Sequence, residues 1–398
     1  MTTIRLYDKY PYETEFQATV IEAQLQEDGR LLVELDKTLF FPEAGGQTSD
    51  KGTLEGCAVL QVRIDHERIT HELEGSFTQV PEQFTPGRIV RGSICFTERF
   101  SNMQNHSGEH ILSGLMHRQY GFDNVGFHLS QGSVTLDVNG RLSEEELLQL
   151  ELQANRVVWS NVPIRAEYPS EEVLKNTEYR SKKEIEGAIR LVTIEGVDVC
   201  ACCAPHVRRT GEIGLIKILK VVYEKNKMRL FILCGRRALE EMDRKQKSVE
   251  SISRLVSEPQ ESVTQGVIRL QEENGQLKYR MTGMAMKYMD LRTAALSGMK
   301  GDHFLFEEAL DTGTLRRGVN ALCEGNTGIH GIFSGSDEDG YFYILGKGQT
   351  EDGRDARSFN SLLLQKVSGK GGGKPEMVQG TIRSPREEIE NALRELGR

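Results

Sequence analysis

Cys202-Cys203-Ala204-Pro205-His206-Val207-Arg208-Arg209-Thr210-Gly211-Glu212-Ile213-Gly214 decides how the middle of this chain is read. Its first five residues set a thiol and an imidazole four apart, a spacing that suits two ligands of one ion. The run lies between strand-like segments, Ile189 to Ile194 before it and Gly214 to Val222 and Arg229 to Cys234 after it. Upstream, Ser101 to Gln119 reads as a helix, Gly132 to Val138 as a strand, and Ser143 to Ser160 as a helix opened by a Ser143-Glu-Glu-Glu146 capping box. That mixture predicts an α+β core with a mostly antiparallel sheet over residues 91–235.

The predicted helix carries the other half of the pattern. His106 and His110, at i and i+4, share one helix face within reach of a single ion. Meeting Cys202 and His206, they would form a His, His, Cys, His set that suits zinc. Cys200 and Cys203 are near enough to compete with Cys202, and both are read as small core residues. Four protein ligands make a closed shell, whereas catalytic zinc usually keeps a position open. Three arrangements stay open: one loose ligand, a five-coordinate ion, or an ion that only positions substrate. His106-Ser-Gly-Glu109-His110 also matches H-x-x-E-H, the inverted zinc-peptidase motif whose glutamate is the general base. That rival takes a downstream carboxylate as third ligand, where this chain offers a Cys-His pair. Gly108 would also cost its helix about 1 kcal/mol. The competing place for Glu109 is a solvated helix face; His128 is read as a buried structural histidine in preference to one that lines the pocket.

Outward from this core, residues 1–90 alternate apolar and polar positions between Gly and Pro turns, as in Arg30-Leu-Leu-Val-Glu-Leu, and predict a small barrel-like β domain. Residues 236–298 read as helical with a break at Ser257-Glu258-Pro259. Beyond the break, Val263, Val267, Leu270, Asn274, Leu277, Met281, Met284, Tyr288 and Leu291 keep a heptad spacing. A 3.5-residue period predicts a coiled-coil stalk, its partner being the preceding helix folded back or a second copy of the chain. A plain core-facing helix is the third reading. Residues 299–398 form a C-terminal α/β unit containing Gly369-Lys-Gly-Gly-Gly-Lys374-Pro375. The fold class is thus α+β, multidomain.

Composition narrows the function. The 398 residues are 38% hydrophobic and 27% charged with net charge −9, which excludes a globally basic nucleic-acid coat. A polyanion would be met locally, and residues 206–237, with nine Lys plus Arg against two acids, supply such a patch. No apolar run is long enough for a membrane span, and the N-terminus lacks a signal peptide's apolar stretch. Seven cysteines, three of them clustered, fit a reducing cytoplasm and a metal better than a disulfide framework.

Near the N-terminus stands Thr38-Leu-Phe-Phe-Pro42-Glu-Ala-Gly45-Gly46-Gln47-Thr-Ser-Asp50-Lys-Gly52. Paired glycines let backbone approach a ligand, and Gln47 offers it both a donor and an acceptor. The plain alternative is a β-turn with a polar tip. Taken in order, this segment, His106-x-x-x-His110, and Ile189-Arg-Leu-Val-Thr-Ile-Glu-Gly leading to the Cys202 run resemble the free-standing alanyl-tRNA editing proteins of the AlaX type, related to the editing half of alanyl-tRNA synthetase. The last block is close to that family's Cys-Gly-Gly-Thr-His-Val-x-x-Thr-Gly-x-Ile-Gly, with Cys203-Ala204-Pro205 in place of Gly-Gly-Thr. The C-terminal Gly371-Gly-Gly-Lys374-Pro375-Glu-Met377 is similar to the DHH-associated domain of the longer members, which is implicated in tRNA holding and dimerisation.

The resemblance implies a zinc-dependent hydrolase acting in trans on alanine tRNA charged with a wrong amino acid, serine or glycine. It implies His106, His110, Cys202 and His206 as metal ligands, and a substrate pocket of Thr38, Gly45, Gly46 and Gln47, with Thr38 the candidate partner of the serine hydroxyl. Gln47 and Glu109 are the candidate catalytic groups. Arg208, Arg209, Lys370 and Lys374 are candidate phosphate contacts on the tRNA. The rivals are the zinc peptidase and a non-catalytic RNA-binding protein whose zinc is structural.

Overall fold

Phe16, Ala18 and Val20 alternate with exposed or half-buried neighbours, and with Leu31, Val33, Leu54, Val62, Ile69 and Leu73 they fill the inside of a barrel. Its strands are β1 (Glu15–Leu25), β2 (Leu31–Leu35), β3 (Gly52–Leu54), β4 (Cys57–Asp65), β5 (Arg68–Leu73) and β6 (Ile89–Ile94). They close in the order β1-β2-β5-β4-β3-β6. The structure is a computed structural model, and it describes residues 2–130, 132–181, 188–349 and 353–397. Two compact units divide the chain, residues 1–248 and 249–398. The barrel and the α+β core share the first unit, and the boundary expected near residue 90 falls inside β6.

One long helix, α1 (Phe96–Tyr120), links barrel to core and is buried without interruption from Ser101 to Gly114. Arg99 joins the two: it is fully buried, paired with Asp50, and donates to Leu39 O at 2.6 Å and Pro11 O at 3.1 Å. Beyond it run β7 (Asn124–Leu129), β8 (Val134–Val138), α2 (Glu144–Ser160), β9 (Ile164–Glu167), β10 (Leu191–Ile194), β11 (Asp198–Ala201), β12 (Ile216–Tyr223) and β13 (Met228–Cys234). They form two antiparallel sheets, β12-β13-β8-β7 and β9-β10-β11. Helix α2 opens on the capping box, with Ser143 Oγ accepting from the Glu146 N–H at 3.3 Å and Glu146 Oε2 from the Ser143 N–H at 2.7 Å.

Helix α3 (Gly235–Val256) crosses the boundary between the units. The second unit continues with α4 (Val263–Ala294), β14 (His303–Glu307), α5 (Thr312–Gly325), β15 (Ile329–Ser336), β16 (Gly340–Lys347), α6 (Ala356–Leu363), β17 (Gly369–Gly373), β18 (Met377–Ile382) and α7 (Arg386–Leu396). Its sheet runs β14-β15-β16-β18-β17, with only the β14/β15 pair parallel. One expectation needs correcting here. The heptad stripe does not face the core of the second unit: Leu277 is 57% exposed, Met284 71% and Leu291 74%. Gly266, Met289 and Thr293, off that stripe, are the buried residues of α4, and Met289 packs with Leu315, Val319 and Leu322 of α5, which turns the stripe outward. The last turn of α3 meets α4 near the break, where Arg269 Nη2 donates to Val256 O at 3.0 Å. The glycine run is an exposed edge strand, paired with β18 along one side. Among the described residues no helix is long and apolar enough to cross a membrane.

Candidate metal centre

Successive turns of α1 present His106 and His110, and the loop that leaves β11 presents Cys202 and His206. Cys202 Sγ lies 3.6 Å from His106 Nε2 and 3.4 Å from His206 Nε2. With His110, one ligand atom from each of the four falls within 4.8 Å of the others. A tetrahedral zinc with the usual Zn–S and Zn–N lengths separates sulphur from nitrogen by about 3.6 Å, so the donor set and its spacing fit that ion. The Cys202 to His206 stretch is irregular, not a turn of helix. Its shape comes instead from Arg190, whose Nη1 donates to Cys202 O at 3.0 Å and Ala204 O at 2.9 Å, and whose carbonyl accepts from the Cys202 N–H.

All three imidazoles turn Nδ1 outward to a partner. Gln47 Oε1 stands 2.9 Å from that of His106, Ser107 Oγ 3.0 Å from that of His206, and Asp198 Oδ2 3.0 Å from that of His110. These contacts leave Nε2 of His106 and His206 to face the sulphur. Burial opposes ionisation of Cys202, yet the imidazoles of His106 and His206 hold its thiol well below the ordinary value. Of the two thiols expected in the core, Cys200 is buried but Cys203 is exposed; local desolvation still pushes Cys203 up to about 11, and the adjacent Cys202 adds to it. Because the thiolate is the ligand form, and Cys202 alone of the two belongs to the group of four, Cys202 is the thiol suited to the ion. Burial lowers His206 to about 3.

The group opens on a cavity of about 610 Å³, lined among others by Gly45, Gly46, His106, His110, Phe127 and Cys202. Gly46 sits at φ 83°, and a Cβ there would lie 2.1 Å from Phe127 O. Only glycine fits, and the close approach lets Gly46 O accept from the Leu129 N–H at 2.7 Å, docking the Gly-Gly-Gln turn onto β7. Gln47 is fully buried, and its Nε2 has no hydrogen-bond partner among the described residues.

Other predicted residues lie elsewhere. Thr38 does not line this cavity: buried in the barrel, its hydroxyl bonds His71 Nε2 at 2.9 Å and accepts from the Phe40 N–H. Glu109 is not on a solvated face but buried, with Oε1 accepting from Ser113 Oγ and Asn124 Nδ2 at 2.5 Å each. His128 is exposed on β7. Arg208 and Arg209 are exposed, with the Arg208 guanidinium 4.2 Å above the Tyr12 ring and Arg209 donating to Asn161 O. Part of the surrounding basic run is engaged inside the unit, since Lys217 pairs with Glu151, Arg229 with Asp137 and Arg236 with Glu98. Lys370 and Lys374 are exposed, on and just beyond the edge strand β17 of the second unit. Sequence reasoning passed over Asp198, Ser107 and Arg190. Ser107 was within reach, being the helix neighbour of a ligand, but nothing local marks an aspartate or an arginine opening a strand.

Comparison with known proteins adds the family. Residues 189–233 match the model described as "Threonyl and Alanyl tRNA synthetase second additional domain". The chain is 31% identical over 247 residues to Alanyl-tRNA editing protein AlaX-L of Pyrococcus horikoshii, covering 60% of each. It is 27% identical over 407 residues to Alanyl-tRNA editing protein Aarsd1 of Rattus norvegicus, covering 96% of each. Against Alanine--tRNA ligase of Pyrococcus furiosus it is 29% identical over 96% of its own length, but spans only 42% of that protein. The order of the Gly-Gly-Gln turn, the two histidines and the Cys-His loop is thus found in a chain matched almost end to end by an editing protein, and this chain belongs to the free-standing alanyl-tRNA editing proteins.

Proposed function

We propose that the protein hydrolyses, in trans, the ester joining a wrong amino acid to alanine tRNA, with serine the principal substrate and glycine a second. The observation that carries this reading is the meeting of His106, His110, Cys202 and His206 beside a cavity that the Gly45-Gly46 backbone also lines. Those four residues would hold zinc, which when bound supplies a Lewis acid beside the ester.

The chain's own residues do the rest. Gln47, fully buried and itself not among the cavity's lining residues, holds the His106 ring by its Oε1, and its unpartnered Nε2 is the proposed donor to the substrate. A second hydrolytic site is needed because one methylene discriminates small amino acids by only about 1–3 kcal/mol. Hydrogen bonding to the serine hydroxyl lets such a site reject alanine by roughly 10⁴, since alanine leaves the polar partner unpaired. With Thr38 committed to His71 and Phe40, Gln47 is the better candidate for that bond. Water attacks, assisted by the terminal hydroxyl of the RNA, since no Ser-His-Asp arrangement stands in the sequence. A peptidase would need the Glu109 carboxylate as base at the ion, and that carboxylate is bonded to Ser113 and Asn124 instead. The exposed Arg208, Arg209, Lys370 and Lys374 are the proposed phosphate contacts. The exposed heptad stripe of α4 is the proposed seam of a homodimer. The cytoplasm is the proposed site of action.

The test incubates purified protein with serine-charged and alanine-charged alanine tRNA, with and without a zinc chelator, and measures released amino acid. Selective release of serine, lost with chelator, is expected. No release from either by folded, zinc-loaded protein would overturn the reading. A His106→Ala variant that folds and still binds tRNA but releases nothing would set aside the binding-only role.

A further inference from the structure

We infer that Arg180 and Asp198 form a buried brace that fixes His110 as an Nε2 donor and reserves the adjoining His110, Asp198 and Cys200 group from the ion; this rests on the reading of the four-residue group as a zinc site. Two ion-sized groups share His110. Besides the set with Cys202, ligand atoms of His110, Asp198 and Cys200 also fall within 4.8 Å of one another. Asp198 opens β11 and Cys200 follows two residues later, so both side chains leave the same face of the strand. Donor types alone do not decide between the groups, and one imidazole nitrogen must be committed.

Arg180 decides it. Its Nε donates to Asp198 Oδ1 and its Nη2 to Asp198 Oδ2, each at 2.8 Å, so a fork of positive charge already occupies both carboxylate oxygens. A cation bound there would meet a guanidinium in contact with its own ligand. Arg180 does not swing away easily: its N–H donates to Val199 O at 2.8 Å, its carbonyl accepts from the Ala201 N–H at 2.9 Å, and its side chain is 12% exposed. The remaining capacity of Asp198 goes to the His110 Nδ1–H at 3.0 Å. That bond fixes the tautomer, leaving the Nε2 lone pair for the Cys202 group. His106 and His206 have neutral outer partners in Gln47 and Ser107. His110 is the one of the three ligand histidines with a carboxylate partner among the described residues, and that partner sets the orientation of its ring. Arg180 and Asp198 are positioning residues: they act on the ion through His110.

The experiment uses the full chain and reads the metal, not hydrolysis. Zinc affinity is measured by competition with a chromophoric chelator, stoichiometry by native mass spectrometry, and ligand geometry by the visible spectrum of the cobalt(II) form. Asp198→Asn is expected to weaken zinc by about 10- to 100-fold and to change the cobalt spectrum. Arg180→Lys, which keeps the charge but loses the fork, is expected to weaken it by a smaller factor, about 3- to 10-fold. Cys200→Ser is expected to keep wild-type affinity and one ion per chain. Wild-type zinc affinity in Asp198→Asn, or two ions in the unmodified chain, would overturn the brace. Should Asp198→Asn fail to fold, unchanged affinity in Arg180→Lys would do so. A chain that shows these metal effects but releases no amino acid leaves the brace standing and overturns the functional proposal alone, whereas a chain that binds no zinc overturns both.

Discussion

Gly108 of α1 faces Cys234 at the end of β13 so closely that a Cβ on the glycine would lie 2.3 Å from the thiol sulphur, with Ile216 Cγ1 at 3.4 Å. The helix rests on the sheet at this point, two residues from each ligand histidine. A glycine that costs an isolated helix about 1 kcal/mol is what permits that contact. Gly108→Ala is predicted to destabilise the first unit by about 1–3 kcal/mol in urea unfolding, the overpacking exceeding the gain in helix propensity. Combining it with Cys234→Ala should recover much of the loss, because the sulphur that blocks the new methyl is gone. Strictly additive losses would refute the contact as the cause.

All four proposed ligands lie within residues 106–206, inside the first unit. Zinc removal is therefore expected to lower the thermal transition of that unit and leave that of residues 249–398 in place. Free zinc at a thousand times its Kd would stabilise the loaded unit by about 4 kcal/mol. Calorimetry with and without chelator checks this, and an equal shift of both transitions would contradict it.

His71 supplies a pH dependence. Burial lowers it from 6.5 to about 4, and its two nitrogens are matched to Val33 O and the Thr38 hydroxyl as a neutral ring. Between pH 6.5 and 4 the unfolded chain therefore binds a proton that the folded barrel does not, so stability falls as pH falls across that window. The contribution approaches roughly 3 kcal/mol at its lower end. His71→Gln should flatten this part of the profile in denaturant titrations at several pH values; an unchanged slope would show that His71 is not its source.

The outward stripe of α4 predicts self-association. Leu277→Glu places a charge at the centre of the proposed seam and is expected to shift sedimentation from dimer to monomer while circular dichroism stays unchanged. A wild-type chain that sediments as a monomer at every concentration would remove this proposal.

Much of this was legible in local pattern. Alternation of the Arg30-Leu-Leu-Val-Glu-Leu kind identifies a strand because side-chain direction repeats every two residues, and the sheets of the structure are indeed mostly antiparallel. Helix geometry carries His106 and His110 to one face whatever else the chain does. The Gly369–Gly373 run carries no alternation to mark it as a strand, because glycine's permissiveness suits a loop and a crowded strand equally well. At Gly371 a Cβ would lie 2.3 Å from Tyr343 Oη, a demand set by a neighbour in space. The α4 heptad was read correctly as a spacing, but a spacing does not say which face a neighbouring helix will bury.

What the sequence determined by itself was therefore the short-range part: the strand alternation, the capped helix, the i, i+4 histidines, and the ordered motifs that assign the family. Only the tertiary structure decided that Cys202 joins those histidines while Cys203 does not, that Thr38 belongs to His71, and that Asp198 and Arg180 stand behind His110. The reason is physical. Backbone geometry couples residues a few positions apart, whereas ligand choice, burial and the partner of a buried charge depend on contacts across tens of residues, such as the 88 between His110 and Asp198.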